Sequence, residues 1–159
     1  MLARIARTRH GGAAEGKRVS EAMVQARVLV VDDDEAVGEL LSIVLRREGL
    51  DADVCGDGRA ALSALRSAAY DLVLTDVTMP GMSGVDLVAA ARAQGARVPF
   101  LVMSAWVDPA REGELRRTPG VVAVLRKPFD IAHIGASVRA ALSSGGVLAS
   151  SPGEARDDA

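Results

Sequence analysis

Val28-Leu29-Val30-Val31-Asp32-Asp33-Asp34-Glu35 runs an unbroken apolar stretch straight into a block of carboxylates. Apolar residues without alternation suit a strand covered on both faces, as in a parallel sheet. Similar short runs recur around Ala52-Asp53-Val54-Cys55, at Leu72-Val73-Leu74, over 98–103 and over 121–125. The stretches between them carry helical periods with recognisable starts. Asp34 can cap a helix whose inner face holds Val37, Leu41 and Val44. Asp57 opens one bearing Ala61, Leu62 and Leu65, and Ser83 with Asp86 forms a capping box before Leu87, Val88 and Ala91. Asp108-Pro109 is a cap followed by proline at the first helical position. That helix is weak, since Gly113 lowers its propensity by about 1 kcal/mol relative to alanine and Thr118-Pro119-Gly120 stops it. Asp130 starts the last helix, with Ile131, Ile134, Val138 and Leu142 as its apolar stripe. Repeated βα units predict an α/β fold with a doubly wound parallel sheet. In such sheets ligands sit beyond the carboxyl ends of the strands.

The 159 residues are 49% hydrophobic and 25% charged, an ordinary globular balance. No apolar run reaches the ~18 residues of a transmembrane helix. The net charge of −2 gives no nucleic-acid footprint across the chain. Cys55 is the only cysteine, which excludes an internal disulfide and suits a reduced, cytoplasmic setting. Arg4, Arg7, Arg9, Lys17 and Arg18 make the start basic, without the apolar core of a signal peptide. Residues 1–26 are therefore expected as a disordered basic extension, 27–145 as the folded domain, and 146–159 as a disordered tail. So short a remainder holds no effector domain, so output is expected through a partner protein, with no direct DNA binding and no membrane.

The predicted strand ends carry the chemistry. The first ends in Asp32 and Asp33, the third in Asp76, the fourth in Ser104 and the fifth in Lys127. Three neighbouring carboxylates repel one another, and a bound cation relieves that repulsion. An all-oxygen set of this kind suits Mg²⁺, which keeps several waters. Lys127 is one of only two lysines among 19 basic residues, and the other, Lys17, lies in the basic extension. A chain so biased toward arginine places here the compact point charge on a long stem that can reach a phosphoryl oxygen or a carboxylate.

Four separated motifs, in order and spacing, resemble response-regulator receiver domains of two-component signalling, here of a stand-alone, single-domain type. They are Val30-Val31-Asp32-Asp33, then 71–76 with Met79-Pro80-Gly81-Met82-Ser83-Gly84, then Met103-Ser104-Ala105, and Lys127-Pro128-Phe129. The resemblance implies a flavodoxin-like sheet of order 2-1-3-4-5 with five helices. It implies that Asp76 is the phosphoacceptor, and that Asp33, Asp76 and the backbone carbonyl of Thr78 ligate Mg²⁺, with Asp32 acting through water. Ser104 and Lys127 would hold the phosphoryl group, and a cis Lys127–Pro128 bond is expected. The protein would assist its own phosphorylation and dephosphorylation without being a turnover enzyme. Its partners would be a histidine kinase and either a downstream target protein or a histidine phosphotransfer protein. A phosphorylation-independent binding module is the remote alternative.

The sequence departs from the family pattern in one place. Receivers commonly place tyrosine or phenylalanine three residues before the lysine, where this chain has Val124, so the aromatic half of the usual switch is missing. The resemblance also implies that the residues two after the phosphoacceptor and two after the hydroxyl, here Thr78 and Trp106, flank the path of the hydrolytic water. Trp106 is expected to shield the phosphoryl group and lengthen its lifetime, the alternative being a partner-facing or loop-packing tryptophan. A haloacid-dehalogenase-like phosphohydrolase would need a second aspartate where Thr78 stands. A flavin-binding loop would be repelled by the carboxylates at 32–35.

Overall fold

The computed structural model describes residues 3–5, 23–105 and 108–150, with side chains over 25–105 and 108–144. A short antiparallel pair, β1 (Ala3–Ile5) against β2 (Met23–Gln25), precedes the main sheet. The chain then alternates strictly: β3 (Arg27–Val31), α1 (Glu35–Arg47), β4 (Asp51–Cys55), α2 (Gly58–Ser67), β5 (Leu72–Asp76), α3 (Gly84–Ala93), β6 (Phe100–Ser104), α4 (Pro109–Arg117), β7 (Val121–Arg126) and α5 (Ile131–Ser150). The five-stranded sheet is parallel throughout, in the order β4-β3-β5-β6-β7. Counted within this sheet, that is the expected order 2-1-3-4-5.

Strand alternation sorts the core into two layers. Val28, Val30, Leu72, Leu74, Leu101 and Met103 pack with Leu41 and Leu45 of α1 and with Ile134 and Val138 of α5. Leu29, Val31, Val73 and Val102 pack on the opposite side with Leu62 of α2, Leu87 of α3 and Leu115 of α4. The helices begin where capping chemistry places them. Asp34 accepts from the N–H groups of Ala36 and Val37, Asp57 from Ala60, and Asp108 from Arg111, while Ser83 and Asp86 close a reciprocal box.

Several local details differ from the sequence expectation. In α1 the buried stripe is Gly38, Leu41, Ser42 and Leu45, with Val37 and Val44 half-buried beside it. Gly38 lets the helix lie close to β4: a Cβ there would stand 2.8 Å from a Val54 methyl. Ile131 is exposed rather than part of the α5 stripe, which begins at Ile134. The last helix continues to Ser150, past the boundary expected at 145, and residues 3–5 and 23–25 form strands inside the stretch expected as disordered. Residues 1–2, 6–22 and 151–159, the greater part of both expected tails, lie outside the described residues, whereas Ala26, at the end of the expected extension, is buried in the core.

Two irregularities set up the far edge of the sheet. Phe100 pairs with Val121 but Leu101 pairs with Ala123, so Val122 is an extra residue in β7. The shift turns Val124 toward the α2–α4 layer, beside Val102. Beyond the strand, Lys127–Pro128 is cis, as expected. No described helix is long and apolar enough to cross a membrane.

Candidate phosphoryl-accepting site

At the carboxyl edge of the sheet, neighbouring strands deliver Asp32 just past β3, Asp76 at the end of β5, Ser104 at the end of β6 and Lys127 just past β7. The parity of the strands turns Asp32, Asp76 and Lys127 to the α1–α5 side. The Lys127 ammonium donates to Asp76 Oδ2 at 2.8 Å and reaches Asp32 Oδ2 at 3.4 Å. The other Asp76 oxygen, Oδ1, accepts the Thr78 N–H at 3.0 Å. Asp32 Oδ1 accepts the Asp34 N–H at 2.9 Å. The Lys127 N–H donates to the Ser104 carbonyl at 2.8 Å, which ties the ends of β6 and β7 together.

Asp32, Asp76 and Ser104 are buried, and Asp33 is exposed. Burial pushes the Asp32 carboxyl above the ordinary aspartate range, although the Asp34 N–H and Lys127 pull against it. Burial draws the Lys127 ammonium down, but its bond to Asp76 and the charges of Asp76 and Asp32 outweigh that and hold it above the usual lysine range. One ammonium thus faces two buried carboxylates, with a third close by. One oxygen each of Asp32, Asp33 and Asp76 lies within 4.8 Å of the others, a grouping able to hold a metal ion. Hard oxygen donors with excess negative charge fit a divalent cation such as Mg²⁺. An open cleft of about 590 Å³, lined by Asp32, Asp33, Glu35, Glu39, Ser42, Val54 and Gly56, adjoins these carboxylates.

The structure therefore brings together Asp32, Asp33, Asp76 and Lys127, and places Ser104 at the same edge. Val124 is half-buried one layer below, and Trp106 lies outside the described residues. The contact that Gly84 makes is a feature that sequence reading missed, although the residue stands in one of the motifs. A Cβ there would stand 2.3 Å from the Asp76 carbonyl oxygen, so α3 approaches the strand end through glycine. Its N–H donates to the Val77 carbonyl at 2.8 Å. The glycine was visible in the sequence, but nothing local marked which backbone it would meet.

Comparison with known proteins identifies the family and the fold. The family model for the response regulator receiver domain matches residues 28–139. The DNA-binding response regulator MtrA of Mycobacterium tuberculosis is 42% identical over 119 residues, which are 75% of this chain and 51% of MtrA. The sensory transduction protein RegX3 of Mycobacterium bovis is 36% identical over 123 residues, covering 75% of this chain and 52% of RegX3. The Francisella response regulator 1452 receiver domain superposes with a TM-score of 0.70 at 28% identity, over 75% of this chain and 98% of that domain. Chemotaxis response regulator CheY4 of Vibrio cholerae gives 0.68 at 30% identity, over 73% of this chain and 98% of CheY4.

These relatives correct one expectation, the absence of direct DNA binding. MtrA is by name a DNA-binding response regulator, and this chain spans about half the length of the curated relatives it matches. A charge balance taken over that span carries no information about the half it does not cover, and neither does the shortness of the segment after α5. With the receiver model covering the whole alternating sheet and the acidic site at its edge, the chain belongs to the response-regulator receiver family of two-component signalling.

Proposed function

We propose that Asp76 accepts a phosphoryl group from a histidine kinase and that the resulting acyl phosphate changes how the protein engages its target. The observation that carries this reading is the ammonium of Lys127, 2.8 Å from an Asp76 carboxylate that is grouped with buried Asp32 and exposed Asp33. An Asp76 oxygen attacks phosphorus in line, the P–N bond to the kinase histidine breaks, and the imidazole leaves with the bonding pair. A carboxylate is a poor nucleophile toward an anionic phosphoryl group, so positioning and charge compensation supply the acceleration. The Thr78 N–H steadies one carboxylate oxygen, while Lys127 exchanges part of its bond to Asp76 for one to the incoming phosphoryl oxygen. The Ser104 hydroxyl stands at the neighbouring strand end as a further donor. Asp33, Asp76 and the Thr78 carbonyl would hold Mg²⁺, with Asp32 acting through water, and the ion when bound offsets the charge on the transferring group.

The reading carries a cytoplasmic location with it, and a signalling role rather than turnover of a substrate. The similarity to MtrA favours an output at DNA over relay to a histidine phosphotransfer protein. The test is incubation with acetyl phosphate and Mg²⁺, followed by separation of the phosphorylated form. Labelling that disappears in Asp76→Asn and in chelator is expected. Label that persists in Asp76→Asn would overturn the assignment.

A further inference from the structure

Across the sheet, one row below the phosphoacceptor, lie Val31, Thr75, Val102 and Val124 in lateral register. Their side chains face the apolar α2–α4 layer, and Thr75 is 0% exposed. Threonine and valine have nearly the same shape, so packing in this row has no need of a hydroxyl. Burying one in apolar surroundings is unfavourable unless it is hydrogen-bonded. The Thr75 hydroxyl is bonded, and its acceptor is the backbone carbonyl of Asp76, at 3.1 Å.

That carbonyl is confined on another side as well, because Gly84 approaches so closely that a Cβ would stand 2.3 Å from it. The peptide it belongs to, between Asp76 and Val77, leads directly to both groups that organise the phosphoacceptor. The Val77 N–H anchors to the Met103 carbonyl at 2.8 Å, and the Thr78 N–H holds Asp76 Oδ1 at 3.0 Å. A rotation of this peptide would move Thr78 relative to the carboxylate. We propose that Thr75 is a positioning residue: its hydroxyl fixes the Asp76–Val77 peptide so that the carboxylate and Thr78 present one geometry to the phosphodonor. This rests on the reading of Asp76 as phosphoacceptor.

Thr75→Val keeps the branched shape and removes the hydroxyl, while Thr75→Ser keeps the hydroxyl and removes a buried methyl. The two variants are compared with wild type by thermal unfolding, by the NMR resonance of the Asp76 carbonyl carbon without donor, and by phosphorylation with acetyl phosphate and Mg²⁺. In Thr75→Val the carbonyl resonance moves and phosphorylation at saturating donor slows about three- to tenfold, the rate equivalent of one neutral hydrogen bond. KM for the donor and the unfolding midpoint hold or the midpoint rises. Thr75→Ser unfolds at lower temperature yet restores both resonance and rate, a crossing that a purely structural role does not produce. An unmoved resonance, an unchanged rate in Thr75→Val, or equal slowing in both variants overturns the proposal. If wild type itself takes no phosphoryl group, the phosphoacceptor reading fails, and the resonance alone decides whether Thr75 sets the peptide.

Discussion

Replacing Lys127 by methionine keeps most of the aliphatic stem and deletes the ammonium that faces Asp76 at 2.8 Å and Asp32 at 3.4 Å. The Asp76 and Asp32 side chains are 12% and 1% exposed, and that of Lys127 is 21% exposed. Removing one partner of a fully buried pair costs about 3–5 kcal/mol, because the other charge is left uncompensated. The lysine is partly solvated here, so the expected loss without metal is about 2–3 kcal/mol at neutral pH. Mg²⁺ works in the opposite direction. With less positive charge beside the carboxylates the variant binds the cation more tightly, and a ligand at a hundred times its dissociation constant stabilises by about 2.7 kcal/mol. Urea unfolding followed by circular dichroism, in chelator and in saturating Mg²⁺, measures both effects. Lys127→Met is less stable than wild type in chelator, and the deficit shrinks when Mg²⁺ is added. Equal stability in chelator, or a deficit that Mg²⁺ leaves untouched, would refute the electrostatic reasoning.

Gly84→Ala puts a methyl group against the Asp76 carbonyl, where backbone has to move; a loss of about 2 kcal/mol is expected, together with slower phosphorylation, read by unfolding and by acetyl phosphate labelling. Tyr70→Phe tests a lock near the opposite edge of the sheet. There the phenol donates to Asp53 Oδ2 at 2.7 Å and Arg27 reaches the same oxygen from Nε at 3.0 Å. The tyrosine pKa is pushed up to about 12 by burial and by that bond, while the bond from Tyr70, with help from Arg27, holds the Asp53 carboxyl below its ordinary range. Both charged partners are about two-fifths exposed, so the variant loses roughly 1 kcal/mol, or a few degrees of midpoint. Because the Asp53 pKa is depressed on folding, its stabilisation is complete above the unfolded value near pH 4 and vanishes as pH falls through the folded one. The gap between Tyr70→Phe and wild type should therefore close in acid, and a gap that widens there would contradict the assignment.

Much of the site could be read from the sequence because strand ends are local features. An apolar run stopped by aspartate, or followed by lysine, fixes where that side chain emerges once the strands are parallel. Asp32, Asp76 and Lys127 meet for that reason. Features set by contact between elements could not be read in this way. The 121–125 run is apolar throughout, so nothing in it marks Val122 as the extra residue that decides which layer Val124 enters. The close approach of α1 to β4 at Gly38 and Val54 is a contact with no trace in helical periodicity. Ile131 fits the apolar stripe of α5 by spacing, yet the first turn stands clear of the layer that buries Ile134. Thr75 reads as an ordinary β-branched strand residue, and only the direction of its hydroxyl gives it a further meaning.

Acyl phosphates are reduced by borohydride, which converts a phosphorylated aspartate into homoserine and so records the residue that carried the group. The chain is treated with acetyl phosphate and Mg²⁺, reduced, digested and sequenced by mass spectrometry. Homoserine at position 76 alone, absent when Mg²⁺ is chelated, is the predicted result. Homoserine at Asp32, Asp33 or any other aspartate in place of Asp76, or none at all with donor and metal present, would contradict the assignment of Asp76 as phosphoacceptor.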